Sequence, residues 1–233
     1  MNGAPSSLRP SVLDAERALA VLLGERVAVA AAAPAAMEHG LFPSERRHVA
    51  RAVPKRRAEF ATGRWCARRA LSVLGVAPVA LVPMPDGSPC WPDGILGSLS
   101  HSEDLCVAAV SRTSELRGLG IDIERAVPLD PALEEMVCTA AERAWIARQG
   151  AEARGTLGKL FFSAKEAFYK CQHGLTKTML DFPEVELAVD LDRRLFRVAR
   201  VRGAIPASFR AGEVAGRFGY AADHLLTVAL IGR

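Results

Sequence analysis

Gly120-Ile121-Asp122-Ile123-Glu124 reads as the centre of a β-strand. Alternate side chains of a strand share a face. Asp122 and Glu124 therefore point one way, while Ile121 and Ile123 point the other way into a core. Two carboxylates a strand pitch apart repel each other unless a cation lies between them. Hard oxygen donors favour Mg2+, which takes one or two carboxylates and completes its shell with substrate phosphates and water. An exposed sheet edge carrying two acids satisfies the same five letters, so the rest of the chain has to decide.

Working outward, Leu105–Ser111 reads as a second strand, with Arg112–Gly118 as a hairpin loop between the two. Before it, residues 83–97 (PMPDGSPCWPDGILG) hold four prolines and mark a loop. Lys55–Leu74 has helical spacing of Phe60, Ala67, Leu71 and Leu74, with Pro54 before it and Gly75 to close it. Ser44 is placed to cap a short helix towards Arg51. Residues 11–23 make an amphipathic helix ended by Gly24, and Val27–Ala33 a buried strand. On the other side, Thr139 and Glu142 form a capping-box signal for a helix to Gln149. A further helix is expected over Thr156–Gln172, ending near Gly174. Strands follow at 185–189, 195–201, 217–221 and 225–231. Helices and antiparallel strands in both halves give the α+β class. The order of elements allows a pseudo-duplicated, two-half architecture, divided into 1–117 and 118–233, although the letters show no repeat.

The 233 residues suffice for one large domain or two packed halves, and the net charge is a mild +4. No dense block of like charge marks a nucleic-acid tail. Five cysteines, none at CxxC spacing, form neither a disulfide framework nor a zinc site, and a reducing cytoplasm suits them. The first sixteen residues lack the pattern of a signal peptide, and the apolar run Val27–Met37 is too short to span a bilayer. A membrane protein is not expected.

Three more segments carry chemistry. In Phe161-Phe162-Ser163-Ala164-Lys165-Glu166-Ala167-Phe168-Tyr169-Lys170, Glu166 and Lys170 lie four apart on one helix face. Acids and lysines among so many aromatics need partners, which a metal and a phosphate would supply. Gly97-Ser98-Leu99-Ser100-His101-Ser102 sets hydroxyls and an imidazole at the entrance of a strand, where they can donate to phosphate oxygens. A GxSxG nucleophile elbow is absent. Lys55–Arg69 is a basic helix in which Arg56 and Arg64, two turns apart, share a face and suit bidentate phosphate contacts. A surface ion pair, a structural histidine and a solvated helix face are the bland alternatives for each.

The ordered string of basic helix, P-x-W-P loop, SLSHS, GIDIE and FSAKEAFYK resembles the 4′-phosphopantetheinyl transferase superfamily, over about Phe42–Lys177. Within it, the chain is similar to the larger monomeric type of the enterobactin and surfactin pathways. The resemblance implies two similar α+β halves with the active site between them, the first half binding the nucleotide of coenzyme A and the second holding the metal and the catalytic helix. It implies transfer of the 4′-phosphopantetheine arm of coenzyme A to a serine of an apo acyl, peptidyl or aryl carrier protein, an acidic helical bundle, with release of 3′,5′-ADP. It places Asp122, Glu124 and Glu166 around Mg2+ (or Mn2+), Arg56 and Arg64 on the nucleotide end, Ser100 and His101 on coenzyme A phosphate, and Lys170 on the pyrophosphate. Glu166, Lys170 and His101 are its catalytic candidates. Peptide, polyketide, siderophore and fatty-acid carriers all fit, and a cytoplasmic monomer is implied. One departure is that Pro83–Ser88 holds no Lys or Arg where close relatives carry a basic residue near the 3′-phosphate. The rival readings are a metal-dependent nuclease-like phosphodiesterase and a non-catalytic carrier-binding module.

Overall fold

The computed structural model describes residues 10–35 and 38–233. The first nine residues read above for a leader signal, and the end of the apolar run at 36–37, lie outside the described residues. The chain forms two compact units, Met1–Glu115 and Leu116–Arg233. The division comes two residues before the one expected because a strand already begins at Leu116. Both units combine helices with antiparallel sheet, the α+β class expected. Among the described residues, no helix is long and apolar enough to cross a membrane.

In the first unit, α1 (Pro10–Leu23) ends at Gly24, whose φ of 75° needs no Cβ to be accommodated. It is followed by β1 (Ala28–Ala32) and α2 (Pro43–Val49). Ser44 does not cap α2. The helix starts two residues earlier, with Phe42 at the N-cap position, and the Glu45 carboxylate reaches back 2.9 Å to the Phe42 N–H. Next comes α3 (Pro54–Val73), with Pro54 in the first turn, where its missing N–H costs nothing. Then come β2 (Ile95–His101) and β3 (Cys106–Arg112), giving a sheet of order β1-β3-β2. The alanines of β1 and β3 pair directly, Ala30 with Ala108, and their small side chains form a core with Cys66, Ala67, Ala70 and Leu71 of α3. Glu16 of α1 accepts the Ala31 N–H at 2.8 Å and holds both terminal nitrogens of Arg69, tying α1 to β1 and α3.

Two expectations change here. The segment Gly97–His101 is not the entrance to a strand but is itself part of β2, paired residue for residue with β3. The Arg112–Gly118 turn is not a β-hairpin either. The strand that follows it, β4 (Leu116–Arg125), joins the other sheet. Short-range turn chemistry signals a reversal, but it does not say which sheet edge the next strand takes.

The second unit adds α4 (Pro131–Val137), α5 (Ala140–Ala147), α6 (Ala151–Thr176), β5 (Val185–Asp190), β6 (Leu195–Val201), β7 (Ala215–Ala221) and β8 (His224–Gly232). The sheet order is β4-β8-β7-β6-β5. The Thr139–Glu142 capping box forms as read. α6 is longer than expected at both ends and runs through Gly174, ending at Lys177 in the left-handed conformation. Phe161, Phe168 and Leu160 of α6 pack with Leu225 and Phe218 of the sheet. Glycine sets how closely the helix lies. A Cβ on Gly120 of β4 would overlap the Ala167 carbonyl, and one on Gly118 would sit 2.9 Å from Cys171 Sγ. Gly118, Gly120, Asp122 and Glu124 alternate along one face of β4, so the close approach brings α6 against both acids.

Candidate active site

In the second unit, Asp122 sits opposite Thr227 of β8 and is almost wholly buried. Lys170 Nζ donates to its Oδ1 at 2.7 Å, and Ser163 Oγ donates to its Oδ2 at 2.8 Å. Lys170 also donates to the Ile121 carbonyl at 3.2 Å. Its distance to Glu166 is 4.0 Å, so the pair read from i,i+4 spacing is secondary to the contact with Asp122. Glu124 receives Lys159 Nζ at 3.0 Å.

Burial raises the Glu124 carboxyl above its ordinary value, Asp122 pushes it the same way, and Lys159 opposes both. Burial also raises Glu166, against the pull of Lys170, and the Asp122 and Glu124 charges add to the rise. The three carboxylates therefore repel one another electrostatically, and two lysines offset that repulsion. Among the described residues no three His, Cys, Asp or Glu side chains sit close enough to form a complete metal cage. The donor set nonetheless suits a hard cation held by one or two carboxylates and completed by phosphate oxygens.

In the first unit, His101 stands at the end of β2. Arg56 Nη1 lies 3.1 Å from His101 Nε2. A guanidinium only donates, so Nε2 accepts and the ring proton sits on Nδ1. Glu59 lies within 3.8 Å of Arg56 and 4.0 Å of His101. Arg56 and His101 are about half exposed, whereas Glu59 is 9% exposed. Two exposed donors side by side can meet an anion through charge-assisted hydrogen bonds.

Ser100, one residue earlier, is buried. Arg64 is also buried, at 5% exposure. Its Nε donates to the Leu81 carbonyl at 2.7 Å, its guanidinium lies 4.2 Å from the Phe60 ring centre, and burial lowers its pKa to about 10. Glu45 holds the same residue from the other side, accepting the Leu81 N–H at 2.8 Å. Leu81 leads into the loop whose Trp91 ring lies so close over Gly97 that a Cβ there would overlap it. The Pro83–Ser88 segment that lacks a basic residue is a tight turn. Met84 N–H bonds the Ser88 carbonyl at 2.8 Å, and Asp86 caps Ser88.

Sequence reading did not single out Lys159, Ser163, Glu59 or Thr227. Lys159, Ser163, Glu166 and Lys170 recur at intervals of four, three and four, one stripe of α6. Glu59 is three residues after Arg56, so spacing could have found Lys159, Ser163 and Glu59. Thr227 carries no local signal, because only the β4–β8 register brings it beside Asp122.

Residues 44–111 match the family model of the 4′-phosphopantetheinyl transferase N-terminal domain, and residues 118–229 match that of the 4′-phosphopantetheinyl transferase superfamily. The chain is 44% identical over 193 residues to the 4′-phosphopantetheinyl transferase Svp of Streptomyces mobaraensis, covering 82% of this chain and 78% of that protein. It is 40% identical over 151 residues to the 4′-phosphopantetheinyl transferase PptT of Mycobacterium tuberculosis, covering 65% and 66%. With enterobactin synthase component D of Salmonella typhi the identity is 35% over 118 residues, 50% of this chain and 48% of that protein. Both units thus match, in chain order, and the chain belongs to the 4′-phosphopantetheinyl transferase superfamily.

Proposed function

We propose a division of labour for the reaction this chain carries out as a family member, the transfer of 4′-phosphopantetheine from coenzyme A to a serine of a carrier protein. The first unit takes the nucleotide end. Arg56 and His101 meet phosphate there, whereas Ser100, which the resemblance also assigns to coenzyme A, is buried on the alternate face of β2. Arg64 reaches the nucleotide only through its Nη groups, because its Nε is committed to Leu81. The second unit takes the pyrophosphate and performs the transfer.

One or two of Asp122, Glu124 and Glu166 at a time would hold Mg2+, or Mn2+, with phosphate oxygens completing its shell, and the ion would supply positive charge against the pyrophosphate. The carrier's serine oxygen forms a bond to the β-phosphorus of coenzyme A while the bond to 3′,5′-ADP breaks. The serine proton goes to Glu166, whose burial and acidic neighbours strengthen it as a base. Lys170, drawn from Asp122 to the incoming phosphate, offsets the charge that develops there. The observation that carries this reading is the carboxylate–lysine cluster of β4 and α6, in which mutually repelling acids are offset by Lys159 and Lys170. The five free thiols suit the reducing cytoplasm proposed for it.

The test is incubation with coenzyme A, Mg2+ and several apo-carriers, read as the phosphopantetheine mass increase on the carrier. Wild type should convert at least one carrier, chelation should stop it, and Asp122→Ala should abolish it while keeping the fold. Near-normal transfer by a folded Asp122→Ala protein overturns the metal assignment.

A further inference from the structure

Behind Asp122 lies a pair of hydroxyls that the reaction as described does not use. Ser163 of α6 and Thr227 of β8 are both fully buried. Ser163 Oγ is 2.8 Å from Asp122 Oδ2 and 2.8 Å from Thr227 Oγ1, and Thr227 Oγ1 is 2.9 Å from the Ser163 carbonyl. Three contacts share two hydroxyl protons, and that fixes their direction. An ionised carboxylate only accepts, so Ser163 spends its single proton on Asp122. Thr227 must then donate, to Ser163 Oγ or to the Ser163 carbonyl. Either way Thr227 holds Ser163, by its hydroxyl or by its carbonyl, and Ser163 holds Asp122.

The two oxygens of Asp122 therefore have different surroundings. Oδ2 is tied to a fully buried hydroxyl anchored on both helix and sheet. Oδ1 faces Lys170, a quarter exposed and carried on a long flexible stem.

We propose that Ser163 and Thr227 are positioning residues that lock the Asp122 carboxylate by Oδ2, so that Oδ1 is the oxygen presented to the divalent cation. The proposal rests on the reading of Asp122 as a metal ligand. Groups that orient a ligand without touching the metal commonly change metal affinity ten- to a hundredfold when removed. Ser163→Ala removes the Ser163 hydroxyl from Oδ2 and loosens the hold on the carboxylate. Thr227→Val keeps the shape and leaves Ser163 less firmly oriented.

The experiment uses the full chain with excess coenzyme A and measures Mn2+ binding by the loss of the free-ion EPR signal, with thermal unfolding and coenzyme A affinity in parallel. Ser163→Ala should bind Mn2+ about tenfold more weakly, with coenzyme A affinity in the absence of metal unchanged. Thr227→Val should weaken Mn2+ a fewfold. The double variant should be no worse than Ser163→Ala, because Thr227 acts through Ser163. If Ser163→Ala does not fold, Thr227→Val alone decides, and unchanged Mn2+ affinity in it overturns the proposal. Wild-type Mn2+ affinity in both single variants, with Asp122→Ala losing Mn2+, overturns the positioning role and leaves the metal reading standing. Retained Mn2+ binding in Asp122→Ala overturns both.

Discussion

At the scale of single residues, the site depends on one hydrogen atom. Gly120 has no side chain where a methyl would overlap the Ala167 carbonyl, so α6 lies close enough for Ser163 and Lys170 to reach Asp122. Gly120→Ala should lower stability by about 1–3 kcal/mol, as overpacking does. It should also abolish transfer, measured by thermal unfolding and carrier mass shift. A variant of normal activity would show that the helix yields freely. Glu166 gives a prediction of opposite sign. Its folded-state pKa is raised, so its stabilising contribution is present below the ordinary carboxylate value and lost as pH rises through the folded value. At neutral pH the ionised group therefore costs stability. Glu166→Gln should unfold at a higher temperature than wild type at pH 7.5, with the gain shrinking as pH falls towards 4.5, the reference value, while transfer is lost. A Tm difference that does not change with pH would remove burial of the charge as its cause.

At the scale of elements, α6 is fixed by a second, separate device. Lys165 precedes Glu166 but, about 100° round the helix, its ammonium is 2% exposed and donates to Glu142 Oε2 at 2.7 Å, the Val137 carbonyl at 2.8 Å and the Phe182 carbonyl at 3.0 Å. Glu142 also accepts the Thr139 and Leu187 N–H groups, both at 2.7 Å. One ion pair thus links α6 to the end of α4, the start of α5 and β5. Removing one partner of a buried pair leaves an uncompensated charge, so Lys165→Met should cost about 3–5 kcal/mol in denaturant unfolding. Lys165→Met with Glu142→Gln should recover part of that loss, and strictly additive losses would deny the coupling. Most helices and strands were readable because their signals are local. Pro54 and Gly75 bracket α3, Thr139 and Glu142 start α5, and alternation marks β4. What could not be read was long-range, namely that β4 leaves β3 for β8 and that β2 begins inside a proline-rich stretch. The site followed the same rule. Its acids and lysines lay in short motifs, whereas Thr227 and the burial of Arg64 depend on tertiary packing.

At the scale of the whole molecule, the partner is a protein, and the net charge of +4 is too small to steer it without a local patch. The turn after α6 offers one. Gln172 and Thr176 fix its backbone, Gln172 Nε2 donating to the Thr178 carbonyl at 3.0 Å and Thr176 Oγ1 accepting the Thr178 N–H at 3.1 Å. Yet Leu175 and Met179 remain 40% and 70% exposed, with exposed Lys177 between them. Two exposed apolar side chains flanking a cation suit contact with an acidic partner that has an apolar face. We propose that it docks the carrier, with Leu175 and Met179 on an apolar face and Lys177 paired with an acid. Lys177→Glu should raise the KM for carrier about fivefold at low salt and leave the KM for coenzyme A unchanged, and the effect should shrink at high ionic strength, where exposed charges are screened. Lys177 has a left-handed φ of 53°, so Lys177→Gly removes the charge without adding backbone strain. It should raise carrier KM less than Lys177→Glu does, with no fall in Tm, which separates loss of charge from damage to the turn. Unchanged carrier KM for both variants at low salt would place the docking surface elsewhere.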